Sequence, residues 1–138
     1  MRAGRRRDGA GCVVTLPLER LLAGAGALSA FVGVGLGAFG AHGLKKRLDA
    51  QMLDVFEVGV RYQLVHALAL LAAGALAGRL PPGPLAAAGW LFVLGTLVFS
   101  GSLYVLALGG RRWVGAVTPL GGLALLAGWA CLAWAALR

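Results

Sequence analysis

Four stretches of this chain carry no charged side chain: residues 21–41, 62–78, 85–108 and 118–137. At about 1.5 Å of rise per residue, a helix of about 20 residues crosses a hydrocarbon core of roughly 30 Å. In lipid an unpaired backbone amide has no water to turn to, so each stretch must close its own hydrogen bonds as a helix. The separators are short. Lys45, Lys46 and Arg47 follow the first run, Arg79 and the group Pro81, Pro82, Gly83, Pro84 follow the second, and Gly109, Gly110, Arg111 and Arg112 follow the third. Three prolines within four residues stop a helix, and short connections make consecutive spans antiparallel. The expected fold is all-α, an integral membrane four-helix bundle running up-down-up-down, with both termini on one side.

Composition agrees. Of 138 residues 59% are hydrophobic and only 13% charged, against about 25% charged in an ordinary soluble domain. The net charge of +8 does not mark a nucleic-acid binder, because the basic residues lie in tails and loops between apolar runs, where charge orients helices in a bilayer. No nucleic-acid partner is expected; the first partner is the lipid bilayer. Cys12 and Cys131 stand in a polar tail and deep in the last run, which makes neither a disulfide framework nor a zinc spacing. Residues 1–20 read as a basic tail, disordered, ahead of a membrane domain at 21–138. The run from Leu21 is too long for a signal-peptide core and is read as an uncleaved helix. The adjacent arginines are not followed at once by an apolar core, so a twin-arginine export signal is set aside. Seven basic residues on the terminus side against six on the loop side leave the orientation undecided. If the arginine-rich start is discounted as a misplaced initiation site, the loop side dominates and both termini are expected outside.

Between the first two spans, Leu48, Met52, Val55, Phe56 and Tyr62 recur at roughly helical spacing with charges on the other face. This predicts an amphipathic lead-in to the second helix, starting near Ala50 with Asp49 as N-cap and Glu57 set to pair with Arg61 one turn later. The fourth helix is expected to begin with Thr118 as N-cap and Pro119 at its first position. Gly26, Ala30, Gly33, Gly37 and Gly40 follow one another at spacings of four, three, four and three, a smooth stripe along the first helix. Gly26, Gly33, Gly37 and Gly40 are therefore the expected helix-packing positions, within one chain or, alternatively, between two copies.

Polar side chains in and around the spans concentrate toward the two basic loops: His42, Arg61, Gln63, His66, Ser100, Ser102, Tyr104 and Thr118. Two helices end at that face and two begin there, so topology brings all eight to one depth, and a donor or acceptor left unpaired in hydrocarbon costs several kcal/mol. The candidate site is this cluster. As a structural network it fixes helix register. As a functional one it offers His42 and His66 for proton or small-solute passage, or as ligands for a metal or haem. With no Asp, Glu or Cys beside them in the spans, the two histidines are poor metal ligands, so neither metal nor cofactor is expected. An enzyme is not expected either. Ser100 and Ser102 flank Gly101 inside a hydrophobic helix and not on a strand-to-helix turn, and nine residues of helix hold Glu57 about 13.5 Å from His66.

Four segments are more specific: GAFGAHGLKKRL at 37–48, RYQLVHALALL at 61–71, FSGSLY at 99–104 and TPLGGLALLAGW at 118–129. In this order they resemble the domain-of-unknown-function 423 family, which is similar to the small eukaryotic transmembrane protein 256. The resemblance runs from Leu21 to the C-terminus. It implies a small four-helix membrane protein, here bacterial and multi-pass in the inner membrane, with no catalytic residues to carry over. The function expected is that of a structural or partner-binding membrane module, self-associating or bound to another membrane protein, with proton-coupled or small-solute transport near His42 and His66 as the alternative.

Overall fold

The computed structural model describes residues 17–138. It is a four-helix bundle: α1 (Leu18–Phe39), α2 (Ala50–Leu76), α3 (Pro82–Gly109) and α4 (Thr118–Leu137). All four are long and apolar enough to cross a membrane. Of the basic tail, residues 1–16 with Cys12 lie outside the described residues, whereas residues 18–20, counted with the tail in sequence, form the first turn of α1.

The ends follow from local chemistry. After Phe39 the helix widens into a π-helical turn, Gly40–Leu44, closed by the Lys45 amide donating to the Gly40 carbonyl at 3.2 Å. Asp49 caps α2, its Oδ1 accepting from the Met52 amide at 2.8 Å, which satisfies one of the otherwise orphaned first-turn donors. From that cap α2 runs unbroken for 27 residues, the amphipathic lead-in and the second span being one helix. The connection to α3 uses Gly78 at φ +86°, a conformation that only glycine adopts cheaply. The prolines separate α2 from α3 as expected, and two of them belong to the new helix. Pro82 and Pro84 do not delay α3 but open it, because first-turn amides have no intrahelical acceptor and proline loses nothing there. Gly110, left-handed at φ 61°, ends α3 by donating to the Leu106 carbonyl, and a 3-10 turn, Arg112–Ala116, leads to α4. Thr118 does not cap α4; its hydroxyl is engaged by Ser102 instead. The Glu57 and Arg61 side chains are both exposed, and no ion pair forms among the described residues.

Consecutive helices pack on one another, and α1 and α4 flank a central α2–α3 pair. Buried positions show the difference: ten on α2 and nine on α3, against three on α1 and four on α4. The glycine stripe of α1 faces α2. A β-carbon added at Gly26 would stand 2.7 Å from the Ala67 carbonyl oxygen, and one at Gly33 2.8 Å from Leu64 Cδ2. Gly37 and Gly40 lie against Val60 and Phe56 with more room. Toward the termini the core is apolar, built from Leu22, Leu70, Ala73, Leu85, Ala88, Phe92 and Leu125. Toward the loops a smaller core gathers Leu44, Phe56, Val60 and Ala107, with Leu48 folded onto it.

Candidate functional site

Gln63 is buried on the face of α2 that meets both neighbours, and both ends of its amide are used. Its Nε2 donates to the Ser29 carbonyl of α1 at 2.9 Å, while its Oε1 accepts from the Tyr104 hydroxyl of α3 at 2.8 Å. Ser100, one turn before Tyr104 and so on the same face of α3, donates to the Gly59 carbonyl of α2 at 2.8 Å. Gly59 makes this approach possible, since a β-carbon there would come within 2.8 Å of the Tyr104 ring. Ser102 points the other way, toward α4: its hydroxyl donates to the Phe99 carbonyl of its own helix at 2.8 Å and shares a 2.7 Å hydrogen bond with the Thr118 hydroxyl.

His66 is buried and its two nitrogens have fixed roles. The Trp129 indole N–H, which can only donate, reaches Nε2 at 3.0 Å. Nδ1 therefore carries the proton and donates to the Tyr62 carbonyl at 2.7 Å. This pair of bonds selects the neutral Nδ1–H tautomer and leaves no ring nitrogen free to coordinate a metal or haem. The Trp129 ring also packs edge-on against His66 and Phe92, at centroid distances of 6.0 and 5.0 Å.

Six of the eight candidate residues thus take part in bonds that tie helices together, but as separate links and not as one converging site. His42 and Arg61 are exposed, and neither is hydrogen-bonded to those links among the described residues. For His42 the reason is angular: it lies two residues beyond Gly40 of the packing stripe, about half a turn around the helix axis. Two contributors were missed in the sequence, Trp129 and the backbone at Gly59. Trp129 is the only tryptophan in mid-span, and an indole N–H in hydrocarbon needs an acceptor, a signal that could have led to His66.

The links line two lateral grooves. One, about 440 Å³, is bordered by α1, α2 and α3 and passes over Gln63, Thr96, Ser100 and Tyr104. The other, about 680 Å³, is bordered by α2, α3 and α4, with Arg61 and Pro119 at one end and Trp129 at the other. Among the described residues no group of His, Cys, Asp and Glu is arranged to hold a metal ion.

These features define a small multi-pass α-helical membrane protein in which most of the buried polar side chains bond to one another or to backbone carbonyls, Thr96 Oγ1 being buried without a partner. The chain belongs to the family described as Protein of unknown function (DUF423), which matches residues 36–122. It is 48% identical over 107 residues to the UPF0382 membrane protein SSP2132 of Staphylococcus saprophyticus, covering 78% of this chain and 88% of that one. Similarity to the UPF0382 membrane protein YwdK of Bacillus subtilis is 44% over 114 residues, 82% of this chain and 93% of the relative. The UPF0382 inner membrane protein YgdD of Escherichia coli is 42% identical over 119 residues, covering 81% and 86%. No solved structure matches.

Proposed function

We propose that this protein is a structural or partner-binding module of a bacterial inner membrane, the compartment named for its Escherichia coli relative, and that it is not an enzyme. One observation carries the reading. Gln63, His66, Ser100, Ser102, Tyr104 and Thr118 direct their donors and acceptors at one another, at the Trp129 indole or at backbone carbonyls, so these six are already engaged, and among the buried side chains of the described residues only the Thr96 hydroxyl lacks a partner. Toward the termini the core is apolar and offers no continuation of a polar path. Glu57 is exposed at the surface, far along α2 from His66, and supplies no acid for an acid–base pair. Partner binding is supported by the outward face of α1, where Leu28, Phe31 and Val34 are exposed and Gly24 and Gly35 have nothing within 4 Å, a surface open to a second copy or to another membrane helix.

The test is flux. The protein reconstituted in vesicles loaded with a pH-sensitive dye is expected to dissipate an imposed proton gradient no faster than empty vesicles. A flux that disappears in His66→Gln would overturn the reading.

A further inference from the structure

We propose that the groove bordered by α2, α3 and α4 holds one acyl chain of an anionic phospholipid from the loop-side leaflet, with the headgroup phosphate at Arg61. This goes beyond the module reading and does not depend on it.

The groove has the shape of half a bilayer. It starts where Pro119 opens α4 and ends at Trp129. Ten residues of helix span about 15 Å, half of a hydrocarbon core of roughly 30 Å. Its volume, about 680 Å³, lies within the roughly 300–1,000 Å³ of ordinary ligand sites. The walls are apolar, with Val65, Phe99, Leu123 and Leu126 along them, and Gly122 keeps the passage open by lacking a side chain. At mid-bilayer the groove is closed by the Trp129 ring, which the bond to His66 holds in place. His66 thereby acquires a role: it positions the end wall.

The mouth supplies the headgroup chemistry. Arg61 is the single charged residue lining the groove; it is exposed and forms no ion pair among the described residues. A guanidinium binds phosphate oxygens in a bidentate way while its stem lies along apolar surface. The surrounding face adds a positive field, since Lys45, Lys46, Arg47, Arg61, Arg111 and Arg112 outnumber Asp49, Asp54 and Glu57. The groove bordered by α1, α2 and α3 has no charged lining residue, so the same argument does not extend to it. A helix from a second copy fits the groove bordered by α2, α3 and α4 less well, because its apolar surface would cover the Arg61 charge without an anion to meet it.

The experiment reads lipid contact at Trp129. Trp90, Trp113 and Trp134 are replaced by Phe, which leaves Trp129, 43% exposed and lining the groove, as the single tryptophan. The full chain is reconstituted in vesicles with brominated acyl chains carried either by phosphatidylglycerol in a phosphatidylcholine background or the reverse. Trp129 fluorescence is expected to be half-quenched at a roughly fivefold lower mole fraction of the brominated anionic lipid, the preference that one interfacial arginine supplies. Arg61→Gln is expected to abolish the preference, while Arg112→Gln, on the same face but outside the groove, keeps it. Gly122→Leu fills the groove and is expected to abolish the preference for the anionic lipid and to lower quenching by both lipids. A β-carbon there meets the Phe99 ring only at 3.7 Å or more, an ordinary contact, so helicity by circular dichroism should be unchanged. Equal quenching by the two lipids, or a preference that survives Arg61→Gln, overturns the proposal. So does absence of quenching in the unsubstituted groove with a dimer on cross-linking, which would put a second copy there. Because the readout is not flux, either failure leaves the module reading standing.

Discussion

The seams inside the two helical hairpins are built differently from the seam between them. Within α1–α2 and within α3–α4, glycine dominates. Added β-carbons at Gly26 and Gly74 would press on backbone of the facing helix at 2.7 and 3.0 Å, and those at Gly95 and Gly128 on Leu125 and Phe92 at 2.6 and 2.8 Å. Between the hairpins side-chain hydrogen bonds carry more of the seam: Tyr104 to Gln63, Ser100 to the Gly59 carbonyl and Trp129 to His66, against one inside each hairpin, Gln63 to the Ser29 carbonyl and Ser102 with Thr118. The contrast has a physical logic. Helices tethered by a short connection are already neighbours, and close backbone approach gives them dispersion contact in a solvent that supplies no hydrophobic drive. Hairpins that must find each other in lipid gain more from directional bonds, whose alternative is an unpaired polar group in hydrocarbon.

Breaking the steric seam should cost most. Gly26→Leu sets a side chain against the Ala67 carbonyl and the Leu71 amide, backbone that cannot step aside, and about 3 kcal/mol or more of stability should be lost. Gly24→Leu, on the same helix with nothing within 4 Å, should stay within about 0.5 kcal/mol of the parent; unfolding by sodium dodecyl sulfate in mixed micelles measures both. A smaller effect tests the polar seam. Gln63→Leu strands the Tyr104 hydroxyl and should cost about 1–2 kcal/mol, and a double-mutant cycle with Tyr104→Phe should return a coupling of about 0.6–1.7 kcal/mol. Zero coupling would mean that this bond does not hold the hairpins together. The smallest change is expected for Gly37→Ala. Its β-carbon meets Val60 Cγ1 at 3.4 Å, and the same titration should shift by no more than about 0.5 kcal/mol.

Much of this was legible in the sequence where one helix suffices to decide. Charge-free runs mark the spans, and the spacing of Gln63 from His66, and of Ser100 from Tyr104, sets each pair near one helical face. What needs two helices was not legible. The depth at which Trp129 meets His66 depends on the relative register of α2 and α4, for which no local pattern exists. Ser100 and Ser102, two residues apart and both buried, make sense only once α3 is seen between α2 and α4. His42 was drawn into the cluster by its depth along the chain, although the stripe ending at Gly40 already pointed it outward. Pro82 and Pro84 read as obstacles because a proline is welcome at a helix start and costly inside a helix, and sequence alone does not say where the start is.

The fourth helix is the shortest of the four, and its length makes thickness a variable. Twenty residues reach about 30 Å, a span equal to the average hydrocarbon core with no surplus to tilt away, while α3, at 28 residues, overhangs. Both ends of α4 are moored. Arg138 lies over the Trp134 ring at 4.8 Å near one surface, and Thr118 is bonded to Ser102 near the other. In a thicker bilayer α3 can straighten, but α4 has to stretch its moorings, so mismatch strain is delivered to the Ser102–Thr118 pair and to the arginine and tryptophan at the far end before it reaches the glycine seams.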